Sequence, residues 1–159
     1  MLHRWDILSY MTQFFLDKIK LLNIGWNERP LTESDFHRLC RRFRVTAEEM
    51  PLRVSGFYYS VKGGHYIAID CKLPPAEKLL VMFHEFAHFW MHAPDAGVTA
   101  NFHGVGRRTR KEAEADAFAV CALIPRGWLE SRTPEEIIEE EGISPAVMLE
   151  RRRVFEEYG

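Results

Sequence analysis

The sequence predicts an α+β fold, a helical core with a small antiparallel sheet on one side and a C-terminal helix pair. Three observations predict it. Several stretches repeat apolar residues every three to four positions, the period of a helix with one buried face. Only "SGFYYSV" (55–61) and "HYIAID" (65–70) have strand character, and Lys62-Gly63-Gly64 between them reads as a hairpin turn. The central stretch "HEFAHFWMH" (84–92) is apolar nearly all round, so other elements must cover it.

Taken in order, "MLHRWDILSYMTQFFLDKIKLL" places Trp5, Leu8, Phe15, Ile19 and Leu22 on one helical face. Asp6, Gln13 and Asp17 interrupt it and no small-residue cleavage site follows, so it reads as a docked helix rather than a signal peptide. Its polar face is not basic enough to favour a membrane surface. "NERP" (27–30) breaks the chain before a second helix, with Thr32 as N-cap, Asp35 in the first turn, and Phe36, Leu39, Cys40 and Phe43 on its apolar face. After the hairpin, Pro75 opens a helix of about Ala76 to His92, with Leu79, Phe83, Phe86 and Trp90 as core stripe. "APDAGVTANFHGVGRRTR" is a long loop. The helix of about Arg110 to Leu123 carries five alanines (113, 115, 117, 119, 122) that let another helix approach closely, and Pro125 stops it. Thr133-Pro134 and Ser144-Pro145 start two last helices, with Gly142 between them.

The 159 residues suit a single domain: an N-terminal amphipathic helix over 1–30, a core over 31–125 and C-terminal helices over 126–159. A net charge of -2 offers no general basic field for nucleic acid or an anionic membrane. Cys40, Cys71 and Cys121 are scattered, odd in number and set among apolar neighbours, which points to reduced core thiols in a cytoplasmic protein.

His84-Glu85-Phe86-Ala87-His88 fits H-E-x-x-H. Residues four apart on a helix stand one above the other, about 5–6 Å between Cβ atoms, so two imidazoles can share one zinc ion. Glu85 is rotated around the axis from His84 and can reach water activated by the metal without binding the metal. A bare match arises by chance in about 3% of chains of this length and composition. A third ligand is therefore required, and "KEAEADAFA" offers one. Glu112 can complete a His₂Glu set, and Asp116, one turn on, can accept the other ring N–H of a liganding histidine. The competing reading, a solvated helix face, fits poorly with the alanines between them. Glu114 lies about 200° around the helix from Glu112 and is the poorer ligand.

"HEFAHFWMH" followed by "KEAEADAFAVCALIP" resembles the ImmA/IrrE family of zinc metallopeptidases, a branch of the gluzincins. The family pattern is H-E-x-x-H, often with a further His, then E-x-E-A-(N/D)-x-F-A and a closing Pro. "IAID" is similar to the family's strand before the active-site helix, and "GISPAVMLERRR" to its trailing helix. The resemblance spans residues 32 to 158, with Phe86 in place of the usual Leu, Ala87 for Gly and Asp116 for the frequent Asn. It implies a zincin-like fold, Zn2+ held by His84, His88 and Glu112, and Glu85 as the catalytic acid/base. It also implies a highly specific intracellular protease whose protein substrate is a helix-turn-helix transcriptional repressor, with roles in transcription regulation and stress response.

Other residues make weaker claims. His92 extends the 84–88 face by another turn and could cap the site, but near a helix C-terminus an imidazolium gains from the dipole, which favours a structural role. His103, Arg107, Tyr58 and Tyr66 are candidates to stabilise an oxyanion on the scissile carbonyl. His3, His37 and His65 read as surface residues. An extended substrate is expected to add along "HYIAID". "IIEEEGISPAVMLERRR" has a helix–turn–helix outline, but Glu135, Glu136, Glu139, Glu140 and Glu141 outweigh Arg151, Arg152 and Arg153, so no direct nucleic-acid contact is expected. The alternative to an enzyme is a zinc-containing regulatory module that binds protein or DNA without turnover.

Overall fold

The computed structural model describes residues 13–92 and 109–158. Helix α1 (13–20) turns Phe15 and Ile19 into the core, and Leu22 follows just past its end. Trp5 and Leu8 of the expected stripe lie outside the described residues. The helix is docked as expected. Trp90 Nε1 donates to the Lys18 carbonyl at 2.8 Å, and the Lys18 ammonium stands 5.4 Å from the Trp90 ring centre. The chain then reverses through Asn23, Gly25 and Asn27, all at positive φ, and Leu31 N–H donates to the Ala122 carbonyl at 2.8 Å.

Helix α2 (Glu33–Phe43) opens with a capping box, Thr32 taking the Asp35 N–H and Asp35 returning to the Thr32 N–H. Arg29 grips the same carboxylate with its two terminal guanidinium nitrogens, each at 2.9 Å. These bonds hold the Asp35 pKa down at about 2. Arg44 closes the helix in the left-handed region at φ 57.

The sheet has three strands in the order β1-β3-β2: β1 (Val45–Met50), β2 (Gly56–Val61) and β3 (Gly64–Asp70). The expected hairpin is present, with Tyr58 opposite Ile67. Lys62 and Gly63 both have positive φ, the mark of a type I′ turn. β1 was not expected and pairs parallel to β3, Ala47 opposite Ile67, so the sheet is mixed rather than purely antiparallel. This changes the substrate expectation. "HYIAID" is the central strand with both edges taken, and no extended peptide can add to it.

Helix α3 (Pro75–Ala87) packs on the sheet so closely that a Cβ on Gly56 would lie 2.7 Å from Val81 Cγ1 and 2.8 Å from the Ala68 carbonyl oxygen. Phe83 and Phe86 are fully buried between α2 and α4, each about 6 Å from Phe118. The α-helical hydrogen bonding ends at Ala87, and residues His88–His92 form a π turn where a continuous helix was expected. Helix α4 (Arg110–Leu123) lies along α3, with Ala115, Ala117, Ala119 and Ala122 all buried, as the small side chains require.

A six-residue helix absent from the sequence reading, α5 (Arg126–Ser131), follows Pro125. Helix α6 (Pro134–Glu141), capped by Thr133 and ended by Gly142 at φ 67, and helix α7 (Pro145–Tyr158) complete the expected C-terminal pair. Arg151 of α7 is completely buried. Its Nε donates to the Ile124 carbonyl at 2.7 Å and its Nη2 to Asn27 Oδ1 at 2.8 Å, tying α7 to the end of α4 and to the segment after α1. Arg153 pairs with Glu150 and Glu157. Two of the three arginines that could have met a phosphate backbone are therefore engaged within the protein. The fold class is α+β, and no described helix is long and apolar enough to cross a membrane. Cys40 and Cys121 are buried free thiols whose pKa values burial pushes up to about 12 and 11; Cys71 is exposed.

Candidate metal centre

His84 lies in the last turn of α3 and His88 opens the π turn, both 3% exposed and facing α4. From the opposite helix comes Glu112, in the first turn of α4, where Thr109 Oγ1 takes its backbone N–H and the helix dipole favours a carboxylate. The two imidazoles turn Nε2 atoms toward each other at 3.1 Å. Glu112 straddles the pair, Oε2 at 3.2 Å from His84 Nε2 and Oε1 at 3.0 Å from His88 Nε2.

These separations fit a metal ion. Two ligands about 2.0–2.1 Å from one tetrahedral cation stand roughly 3.3 Å apart. The two Nε2 atoms, and each Nε2 with its nearer carboxylate oxygen, lie near that spacing already. Two imidazole nitrogens and one carboxylate oxygen also match the donor set of a catalytic divalent site, which keeps a further position open. Among the described residues His84, His88 and Glu112 are the group that converges in this way. Glu112, with 28% of its side chain exposed, leaves the cluster open on one side while both histidines are enclosed.

The electrostatics agree. Burial opposes a charge on His84, yet hydrogen bonds to Asp116 and Glu112, aided by the Glu85 charge, push its pKa up to about 9. The two histidines hold the Glu112 carboxyl far below its ordinary range. The surroundings thus favour positive charge at this point, which a metal ion would supply in place of a proton.

Asp116 sits where its helical spacing predicts, Oδ1 2.8 Å from His84 Nδ1, so the ring that offers Nε2 to the cluster is held from behind. Glu85 is fully buried beside His84 and outside the converging group. Glu114 stays out of the cluster too. It pairs with Arg110 at 2.9 Å and lies 3.8 Å from His92 Nε2. His92 is not simply a dipole partner: its Nδ1 is 2.9 Å from His88 Nδ1. The signal for that contact was the third histidine at a spacing of four.

The oxyanion candidates fare differently. Tyr58 is buried with its hydroxyl 2.8 Å from His65 Nδ1, and Tyr66 stacks on Tyr59 on the sheet face turned away from α3. Neither is free to meet a substrate carbonyl. His103 and Arg107, like His3, lie outside the described residues. His37 is a surface residue as expected, 3.5 Å from Glu33, whereas His65 is packed 4.9 Å from the Phe89 ring.

Residues 40–151 match the family described as the IrrE N-terminal-like domain, a family of peptidases. The chain belongs to this family. The matched span runs from the end of α2 to the middle of α7 and contains all three converging ligands and Glu85. No curated protein and no solved structure matches the chain significantly. As an IrrE N-terminal-like peptidase it has the fold class and the family that its sequence motifs implied, together with a cluster that could hold a metal ion.

Proposed function

We propose that the chain is a zinc-dependent endopeptidase that cuts one specific protein in the cytoplasm, a helix-turn-helix transcriptional repressor. The observation that carries the reading is the convergence of His84, His88 and Glu112 from two helices, with buried Glu85 beside them, in a chain of a peptidase family. Zinc in this donor set supplies a Lewis acid that lowers the pKa of water toward ~7 and polarises a carbonyl. Glu85 then acts as general base and, after the attack, delivers the proton to the leaving amine. Burial away from competing solvent suits that role. Asp116 keeps the His84 ring in the tautomer that offers Nε2.

The substrate segment adds to the outer edge of β2. Gly56 meets Val81, and Tyr58 meets Phe89 at 6.0 Å, so β2 follows α3 toward the histidines while β1 flanks α2. Because Ser55 O accepts from Asp70 N–H, the backbone groups of residues 56, 58 and 60 point away from β3, where no strand pairs with them among the described residues and an extended peptide could add.

The test is cleavage of a purified candidate repressor by the zinc-loaded chain, by the chelated chain and by Glu85→Gln. Zinc-dependent cutting that Glu85→Gln abolishes supports the reading. A chain that binds the repressor but leaves it intact is a non-hydrolytic regulatory module instead.

A further inference from the structure

Each histidine of the candidate centre presents Nε2 to the cluster, and its ring is held by whatever meets Nδ1. For His84 that partner is Asp116 at 2.8 Å. Among the described residues no carboxylate stands in the corresponding place at His88. Its Nδ1 meets another imidazole, His92 Nδ1, at 2.9 Å. Behind it, His92 Nε2 is buried without a hydrogen-bond partner among the described residues, with Glu114 Oε2 at 3.8 Å.

We propose that His92 is a positioning residue for the metal centre, fixing the ring of His88 through a neutral Nδ1 acceptor, with Glu114 oriented behind it. The inference rests on the metallopeptidase reading given above. Two nitrogens 2.9 Å apart hold one hydrogen between them, so one ring donates and the other accepts. When His88 Nε2 gives its lone pair to a cation, the His88 hydrogen must sit on Nδ1, and His92 Nδ1 must accept it. The His92 hydrogen is then forced onto Nε2, toward the Glu114 carboxylate. The three side chains form one directed chain, metal ligand to imidazole to carboxylate, parallel to the shorter one through Asp116.

The π turn explains how a residue so far along the helix reaches this place. In a regular α-helix the two four-residue steps from His84 to His92 accumulate about 80° of rotation around the axis. The wider π turn over His88–His92 gives back much of it, so the third imidazole returns to the row of the first two. Single π turns of this kind cluster at functional sites because they re-aim a side chain without ending the helix. Side-chain exposures of 10% for His92 and 15% for Glu114 leave little room for water to replace either partner.

The experiment is zinc titration of the chelator-stripped protein in competition with a chromophoric chelator, with folding followed by circular dichroism. His92→Phe keeps the ring volume and removes the acceptor, whereas His92→Asn puts an amide oxygen where imidazole Nδ1 was. The expected result is zinc binding about 10–100-fold weaker in His92→Phe and within about threefold of wild type in His92→Asn. A role in packing alone gives the reverse order, with His92→Phe unaffected, and overturns the proposal. Should His92→Phe not fold, His92→Gln takes its place. Its amide matches the Nε2 side and cannot reach His88 Nδ1, so it must bind zinc as weakly as the acceptor-less variant. Equal affinity of the Gln and Asn variants overturns the proposal as well. Wild type that binds no zinc brings down the metal reading itself. Wild type that binds zinc while His92→Phe matches it brings down only the role of His92.

Discussion

Glu85 lies beside His84 and Glu112 reaches both His84 and His88, and the proposed function gives the two glutamates different tasks. Glu112 reaches both Nε2 atoms from the helix opposite, so Glu112→Ala is expected to lose metal affinity. Glu85→Gln keeps its volume and loses only the base, so metal stays bound while peptide cleavage falls by about 10²–10⁴-fold. Asp116→Ala should fall between them, weakening metal by about 10–100-fold through lost orientation of His84. Metal analysis and proteolysis on the three variants check this. Retained metal and activity in Glu112→Ala would reverse the assignment. These residues were legible in the sequence because a helix converts spacing directly into a shared face. For His92 the spacing of four signalled a place on the same face, but not the contact with His88 Nδ1, which depends on a π turn that nothing in "HFWMH" announces. Far from the site, Asp35 offers a pH test. Its carboxyl titrates at about 2 rather than 3.8, chiefly through its bonds to Arg29. A depressed carboxyl stabilises the fold above its ordinary pKa and loses that contribution as pH falls toward the folded value. Asp35→Asn is therefore expected to be less stable than wild type at pH 7, with the gap closing between about pH 4 and 2. Denaturant unfolding at both ends of that window measures it. A constant gap contradicts the ion-pair origin.

At the scale of elements, the sheet and α3 set the depth of the site. Gly56 lets α3 lie against β2, and the obstacle to any added methyl includes a backbone oxygen that cannot turn aside. Gly56→Ala is expected to cost about 1–3 kcal/mol, read from the denaturation midpoint. A neutral result means the strand and helix part easily. The outer edge of β2, unpaired among the described residues, gives a second test. Ser60 points its N–H away from β3, so Ser60→Pro removes one hydrogen bond to an added strand and none within the sheet. Cleavage should drop about two- to tenfold with metal content and melting temperature unchanged. Unchanged cleavage in a folded, metal-loaded variant places the substrate elsewhere. The hairpin, α2, α4 and the last two helices could be read from alternation, caps and turn residues. β1 could not. "VTAEEM" has no clean alternation, its glutamates are poor strand formers, and only pairing with distant β3 makes it a strand. α5 is too short for any period to show. The same hidden strand explains why "HYIAID" read as an edge: a sequence shows strand character but not how many neighbours the strand has.

At the scale of the whole molecule, the candidate centre bridges α3 and α4, and Arg151 ties α7 back to the end of α4 and to the segment that follows α1. Metal bound between two packed helices stabilises the folded chain by mass action, so a chelator should lower the melting temperature of wild type and leave Glu112→Ala almost unmoved. In the proposed function, two histidines of α3 and its π turn and one glutamate of α4 hold a single zinc ion. Elemental analysis of the purified chain after zinc-supplemented expression tests it most directly. The expected result is one zinc per chain in wild type and far less in Glu112→Ala. Well under one equivalent in wild type, or a full equivalent retained without Glu112, would contradict it.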